Sequence, residues 1–327
     1  NSKAAGTSTL SIGGGFQAGR LELAGGITLS NAITLEGRQG QTYSAITNNG
    51  GDNFLTGVIS FVPNGSRLNF NSSSGTLVIS GAAMPGSSTN RSINFRGAAF
   101  GEFAKPITTT LISTLDKLDS GTWIISGNNT HTGLNTAGGG RLIVTSATGL
   151  GTGNVAVSTN ATLDYAARSD AALAIGGTLV ITGGTSTAIG ASIGSTITSA
   201  RINVTGAASI TNAAHAVNLF KVLGTTAATG TYNLITGGVG SALNPVTAPT
   251  LGKVYNNSDF TVGAISRTAT TLDAVITATG PLATAYWTGG LSGATNVWAV
   301  SNGSAASNWA ATAGGAAQVL VPGPGTD

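Results

Sequence analysis

The sequence contains no cysteine, which excludes disulfide bonds, zinc sites built on thiolates and cysteine nucleophiles. Charged residues make up only 8% of its 327 residues, whereas about 25% is usual in globular domains. This shortage argues against long solvated helices, whose exposed faces normally carry lysine and glutamate. No run approaches the ~20 consecutive apolar residues of a transmembrane helix, so we predict no membrane-spanning segment.

The 14 basic and 11 acidic residues are scattered singly along the chain. The sequence pI of about 9.4 therefore reflects the shortage of ionisable groups, and there is no basic stripe of the kind that binds nucleic acid. We expect neither nucleic acid nor a membrane surface as a partner. The chain begins without methionine and without a signal peptide, which is typical of a mature or excised piece.

Glycine is abundant, with 50 residues, and it flanks a recurring segment of the type Gly-Thr-Leu-x-Ile-x-Gly. Within each copy apolar and polar residues alternate, which is the period of a β-strand bounded by turns. No stretch of useful length has the apolar stripe of a helix. The copies occupy residues 19–25, 75–81, 121–127, 177–183 and 230–237, the last with one extra residue.

Short strands at such spacing fit a sandwich, a barrel, a propeller or a solenoid. The repeat favours a β-solenoid, because stacked similar coils place like residues on like and build aliphatic ladders inside. A propeller with four-stranded blades is the alternative. Asn-Asn pairs at 48–49, 128–129 and 256–257 and a Gly-Gly pair at 50–51 predict tight corners, since both residue types tolerate positive φ.

Residues 115–165 carry a resemblance to a known family. They contain Gly-Thr-Trp-Ile-Ile-Ser-Gly-Asn-Asn-Thr-His-Thr-Gly, then Gly-Arg-Leu-Ile-Val, Gly-Leu-Gly-Thr-Gly-Asn-Val-Ala-Val and Ala-Thr-Leu-Asp-Tyr. This segment resembles the autotransporter-associated β-strand repeat (passenger-associated transport repeat) of bacterial surface proteins. Trp123 departs from the pattern by replacing an aliphatic residue, and His131 stands where tyrosine is usual. Residues 42–81 resemble a second variety of the same array.

The resemblance implies an all-β fold, a right-handed parallel β-helix, exported to the bacterial surface for adhesion, matrix or fibre formation. It concerns architecture and brings no catalytic residues. Residues 286–327 are similar to a Trp-rich module often interspersed in giant surface proteins that carry these repeats. We therefore expect a solenoid of irregular repeats over residues 1–280 and a Trp-rich β module over residues 281–327, which could connect subunits.

Parallel β-helices include polysaccharide-degrading enzymes, whose chemistry needs clustered carboxylates as an acid/base pair or as calcium ligands. Asp116 and Asp119 fall in a predicted turn, while Asp164 and Asp170 flank Arg168. We interpret each of these carboxylates as solvated and structural. The sequence therefore predicts no catalytic residue, no metal site and no cofactor, and the chain is not expected to be an enzyme.

The two histidines do not indicate a catalytic triad. His131 follows the turn of the repeat, where a corner-stacking role is expected, and His215 has no functional interpretation. Residues 50–55 superficially resemble a calcium-binding nonapeptide, but the segment occurs once and lacks the Gly-x-Asp core.

Trp287, Trp298 and Trp309 are spaced by eleven residues each. Closing the hydrophobic end of a core is favoured over a glycan-binding platform for these aromatic residues. Leu320 and Val321 lie in a further predicted strand, where a second copy could add a strand. These five residues are the candidate contacts with another subunit or with a glycan.

A solenoid has strand edges and core residues open at both ends, and the sequence has no charged amphipathic helix to cap them. We therefore expect copies stacked head to tail, or more of a longer chain, to cover the ends. The sequence predicts a structural extracellular or bacterial cell-surface protein, a subunit or segment of a fibre or surface matrix. An adhesin that binds surface glycans is the alternative, and a polysaccharide-degrading enzyme is the third class.

Overall fold

The computed structural model describes residues 5–14, 19–37, 44–62, 66–82, 84, 90–108, 112–197, 199–211, 214–244 and 247–323. In these ranges the chain is all-β without a helix, and stacked parallel sheets form a β-solenoid of about eight turns. The expected fold class is confirmed, and the propeller alternative is wrong.

The strands, in chain order, are β1 (Leu10–Ile12), β2 (Leu21–Ala24), β3 (Thr28–Leu29), β4 (Ile33–Leu35), β5 (Ile46–Gly50), β6 (Asp52–Leu55), β7 (Ile59–Phe61), β8 (Arg67–Ser72), β9 (Thr76–Ile79), β10 (Arg91–Arg96), β11 (Phe100–Phe103), β12 (Ile112–Lys117), β13 (Thr122–Ile125), β14 (Leu134–Ala137), β15 (Arg141–Val144), β16 (Val155–Val157), β17 (Thr162–Tyr165), β18 (Leu173–Ile175), β19 (Leu179–Ile181), β20 (Ala188–Ile193), β21 (Ile202–Val204), β22 (Ala208–Ile210), β23 (Ala216–Lys221), β24 (Gly230–Thr236), β25 (Thr250–Tyr255), β26 (Phe260–Arg267), β27 (Thr271–Ala278), β28 (Tyr286–Trp287), β29 (Val300–Ser301), β30 (Trp309–Ala310) and β31 (Ala317–Gln318).

Contacts divide the chain into two compact units. The first consists of Asn1–Leu163 with Ala174–Val180, and the second of Asp164–Leu173 with Ile181–Asp327. The boundary expected between residues 280 and 281 lies within the second unit and stays a prediction.

In the first unit successive strands belong to different parallel sheets, with three strands in each of the first three coils and two strands in each later coil. The sheets run β1-β4-β7, β2-β5-β8-β10-β12-β14-β16 and β3-β6-β9-β11-β13-β15. Each strand therefore pairs with the strand one coil later, and its polar backbone is satisfied between coils.

The recurring Gly-Thr-Leu segments form strands, as predicted, and alternate in burial. In β9, for example, Leu77 and Ile79 are fully buried while Thr76 and Val78 are half-buried. The copies at 75–81 and 121–127 became β9 and β13 of one sheet, but the copies at 19–25 and 177–183 gave β2 and β19 of another. The segment encodes a strand between turns, and more than one face of the coil accepts it.

Aromatic side chains fill the interior of the first unit. Phe70 and Phe95 lie opposite each other on β8 and β10, with ring centroids 6.1 Å apart. Phe95 also contacts Trp123 at 4.8 Å. Trp123 is fully buried, and its ring fits because Gly101 lies opposite it in register. A Cβ at Gly101 would come within 2.5 Å of the indole ring, so the absence of a side chain at Gly101 is what makes room for this tryptophan.

The predicted corners are confirmed in part. Asn256 has a positive φ of 58°. The pair at 48–49 lies at the end of β5 instead, and the corner after it falls on Gly51, whose φ is 74°. Asn48 still serves that corner, because its side chain accepts a hydrogen bond of 2.6 Å from the buried Asn53 amide.

The second unit begins with parallel coils and ends in antiparallel strands. Strands β20, β23 and β25 pair in parallel, with Phe220 stacked on Tyr255 at 4.6 Å. Strand β24 pairs in parallel with β21 but antiparallel with β27. The register between β24 and β27 shifts between Asn233 and Ile235, so a β-bulge takes up the extra residue of the last sequence copy.

We predict that Gly101→Ala will destabilise the chain by about 1–3 kcal/mol, because the new methyl group overpacks against Trp123. In a Trp123→Leu background the same change should cost less, with a coupling free energy of about 1 kcal/mol or more from a denaturant-unfolding double-mutant cycle. Gly50→Ala is the matched control, because its Cβ would meet nothing within 4 Å. Additive effects of the two changes would contradict this packing account.

Candidate functional site

Three tryptophans meet on a small antiparallel sheet in the second unit. Strand β30 lies between β28 and β31, and Trp287 is directly opposite Trp309. Trp298 is outside any strand, in the turns between β28 and β29. The spacing of eleven residues therefore brings the three side chains together, although only two of them are on strands.

Trp309 is the buried centre of this cluster. It is 4% exposed and presents its ring edge-on to both neighbours, at 5.1 Å from Trp287 and 4.2 Å from Trp298. Its Nε1 donates a hydrogen bond of 2.9 Å to the main-chain oxygen of Trp298. Edge-to-face packing and a satisfied indole N–H are typical of structural tryptophans. The core-closing interpretation fits Trp309.

The other two tryptophans are largely open to solvent. Trp287 is 46% exposed and Trp298 is 61% exposed, with near-parallel rings, 17° apart, and centroids separated by 6.0 Å. Their neighbours Tyr286 and Val297 are also more than one-third exposed. Such a surface offers aromatic faces to a ligand or partner, so core closure does not account for Trp287 and Trp298.

The loop that carries Trp298 is fixed by Asn308, a residue that the sequence analysis missed. Asn308 is fully buried. Its Oδ1 accepts from the Leu291 N–H at 2.7 Å, and its Nδ2 donates to the oxygens of Ala294 and Val297. The side-chain amide of Asn308 thus fixes the backbone of the segment 291–297, which directly precedes Trp298. No sequence signal distinguishes this asparagine from the many others in the chain.

Leu320 and Val321 lie inside the folded chain. Leu320 is 9% exposed and Val321 is fully buried, and both lie beyond the end of β31. The Leu320 oxygen accepts a hydrogen bond of 2.9 Å from the Ser307 hydroxyl. A contact of these two residues with another subunit stays a prediction, and it would require this segment to exchange between copies.

The structure corrects the expectation for Asp116, which lies in strand β12 and not in a turn. Asp119 does lie in the turn, with a φ of 62°. Hydrogen bonds from Arg96 lower the pKa of Asp119, aided by the Gly97 N–H and against the opposing effect of burial. Asp119 therefore fastens a coil corner.

The expectation of solvation is wrong for Asp164, which is fully buried and accepts a hydrogen bond of 3.0 Å from Asn218. Asp170 forms an ion pair of 2.7 Å with Arg201, a residue that the sequence analysis did not connect with it. Burial tends to raise the pKa of Asp170, but hydrogen bonds from Ser195 and the charge of Arg201 outweigh it and lower the pKa. The polar contacts of these carboxylates in the structure support structural roles.

His131 is fully buried at a corner of the first unit, the position expected from the sequence. Its Nε2 lies 2.8 Å from Asn135 Oδ1, and Asn135 Nδ2 donates to the oxygen of Leu150. Burial lowers the pKa of His131, only partly offset by the hydrogen bond with Asn135. His215 is also buried, at 3% exposure.

The described residues hold no group of three or more histidine, aspartate or glutamate side chains suited to a metal ion. Within the same ranges no helix has the length and apolarity needed to span a membrane. In the segment 50–55 the side chain of Asp52 is exposed.

No family model, no curated protein and no solved structure matches this chain. The resemblance of residues 115–165 to autotransporter-associated repeats therefore stays a prediction, as does surface localisation.

The buried histidine predicts a pH dependence. Because the pKa of His131 is lowered in the folded chain from the ordinary 6.5, the unfolded chain binds the proton more readily. The stability that neutral His131 contributes is fully present above the pKa that this residue has in the unfolded chain. It is lost as the pH falls below that pKa. In His131→Leu the fall in Tm between about pH 7.5 and about pH 5 should be smaller than in wild type. Equal falls, measured by circular dichroism, would count against this account.

Proposed function

We propose that this chain is a structural segment of an extracellular or bacterial cell-surface protein, a β-solenoid building block of a fibre or surface matrix. The supporting observation is the way its buried polar side chains are used. In the first unit several of them bind the main chain of an adjacent coil, so they stabilise the stacking of coils.

Two asparagines illustrate this use. Asn31 Nδ2 donates to the oxygens of Gly6 and Ser8, 25 and 23 residues earlier. Asn129 accepts from the Ile107 N–H, 22 residues earlier, and donates to the Gly149 oxygen, 20 residues later. Each amide therefore joins coils that are neighbours in space and distant in sequence.

Buried lysines are used in the same way. Lys105 Nζ donates to the Ala82 oxygen at 2.9 Å, and Lys117 Nζ donates to the oxygens of Leu118, Asp119 and Gly139. Both lysines have no exposed surface. Burial lowers the pKa of Lys117 to about 8, partly opposed by the charge of Asp119. A cation that is placed against carbonyls in this way rigidifies a scaffold.

The proposal includes stacking of copies head to tail. Strand β2 pairs with β5 on one side, and the Leu21 N–H bonds to the Ala45 oxygen of that neighbour. Since successive N–H groups of a strand point to opposite sides, the N–H of Glu22 points toward the other edge. A strand of a second copy could pair there.

We expect the wild-type chain at high concentration to form rods by electron microscopy and larger species by analytical ultracentrifugation. Glu22→Pro removes the outward N–H and keeps the backbone bonds to β5, while it loses the exposed side-chain bond from Asn49, as Glu22→Ala does. It should therefore block assembly and leave the circular dichroism spectrum unchanged. Glu22→Ala keeps the N–H and is the matched control, because it also removes the exposed pair with Arg20. A wild-type chain that stays monomeric would overturn self-assembly.

A glycan-binding adhesin is the second candidate function, and the exposed faces of Trp287 and Trp298 favour it. An indole face packs well against the apolar face of a sugar ring. The buried Trp309 beneath them holds the pair in place, which lowers the entropy that a ligand must overcome.

For this second function we expect Trp298→Ala to weaken binding of cello-, chito- or xylo-oligosaccharides about tenfold in calorimetric titration. The Trp309 hydrogen bond goes to the main chain of Trp298 and survives the change. Only the ring contact is lost, at a cost of about 1 kcal/mol, so Tm should fall by only a few degrees. Trp309→Ala should instead cost about 3–5 kcal/mol of stability. Val239→Ala, at a fully exposed residue, is the control. Unchanged affinity in Trp298→Ala would reject the platform.

A further inference from the structure

A cavity of about 470 Å³ opens in the second unit, where the turn after β23 faces the segment before β26. Its size falls in the range of roughly 300–1,000 Å³ that is typical of small-molecule sites. The residues discussed so far do not line it.

One wall of the cavity is an ion pair that is almost fully buried. Lys221 Nζ lies 2.8 Å from Asp259 Oδ2, and the two side chains are 9% and 10% exposed. Lys221 also donates to the Ser258 hydroxyl at 2.9 Å, and Asp259 Oδ2 accepts from the Ala227 N–H. Lys221 and Asp259 are the charged residues among the described ones that line the cavity, so the wall is polar with no net charge.

The pair is incompletely satisfied within the described residues. Asp259 Oδ1 is buried and accepts no hydrogen bond there, although a buried carboxylate oxygen is normally bonded. A lysine ammonium group has three N–H donors, and Lys221 uses two of them on Ser258 and Asp259. Lys221 therefore keeps one N–H that can donate to a ligand oxygen such as that of a hydroxyl group, whereas Asp259 Oδ1 is buried away from the ligand.

The rest of the lining is apolar or carries hydroxyl groups. Leu223 is 72% exposed and lines the cavity together with Pro281, while Thr225, Thr226 and Thr279 supply the hydroxyl groups. An exposed leucine beside a cavity offers a surface for the C–H face of a ring. A sugar has this combination of an apolar ring face and a polar rim.

We propose that this cavity binds a neutral sugar residue, with a hydroxyl group at Lys221, which Asp259 holds in place, and its ring face on Leu223. Because Lys221 and Asp259 neutralise each other, the wall offers neither an anion nor a cation a net attraction. A purely apolar ligand would remove water from the ion pair without replacing the lost hydrogen bonds. The inference is independent of the structural role and of the tryptophan platform.

Saturation-transfer NMR of the full chain with D-glucose, D-galactose and N-acetyl-D-glucosamine tests the proposal, with glucuronate and inorganic phosphate as charged comparisons. At least one neutral sugar should bind. Leu223→Ser, at an exposed residue that folding does not need, should weaken that sugar about fivefold or more. Asp259→Asn should weaken it as well.

Matched control variants show whether a loss of sugar binding is specific to the cavity. Val239→Ser changes a fully exposed apolar residue away from the cavity lining, and Asp273→Asn changes an aspartate bonded to a threonine hydroxyl. Both controls, and Trp298→Ala, should bind the sugar as wild type does. The proposal is overturned if no neutral sugar binds, if Leu223→Ser binds it unchanged, or if phosphate or glucuronate binds more tightly than every neutral sugar.

Discussion

The constraint on which this structure depends is the parallel hydrogen bonding of each strand to the strand one coil later. It satisfies the backbone without helices, and it forces the side chain at a given position of one coil to lie on its counterpart in the next. The direct stacking of Phe70 on Phe95 follows from this register. The space for Trp123 over Gly101 follows from it too, since a large side chain in one coil needs a small one in the neighbouring coil.

The same constraint explains the composition. Charges stacked in register along a rod would repel each other at the spacing of adjacent strands, about 4.8 Å, whereas threonine, serine and asparagine stack without that cost. The buried ammonium group of Lys117 is placed where three carbonyl groups converge at a corner. Buried asparagines such as Asn129 satisfy main-chain groups of the coils on both sides. Such contacts make neighbouring coils depend on each other for stability.

The second unit departs from this regularity, and the candidate binding features lie there. The antiparallel pairing of β24, β27 and β26 ends the parallel stacking of that sheet, and the loops that follow are free to form surfaces. Asn308 orders the loop before Trp298, which leaves two indole faces exposed above the buried Trp309. The Lys221–Asp259 pair lies where the chain turns away from β23. Regular coils give the scaffold, and irregular connections give the candidate sites.

The sequence by itself determined the local structure. Alternation around Leu77 and Ile79 with glycine at both ends predicted strands, the repetition predicted coils, and the shortage of charge excluded solvated helices. It could not say which sheet each copy joins, because a strand between two turns fits several faces of a coil. Only the tertiary structure decided which distant residues meet: Gly101 beneath Trp123, Arg201 against Asp170 and Lys221 against Asp259. The physical reason is that these contacts depend on the length of each coil, which irregular turns change by a few residues at a time. A repeat in the sequence therefore does not fix which residues of neighbouring coils lie opposite each other.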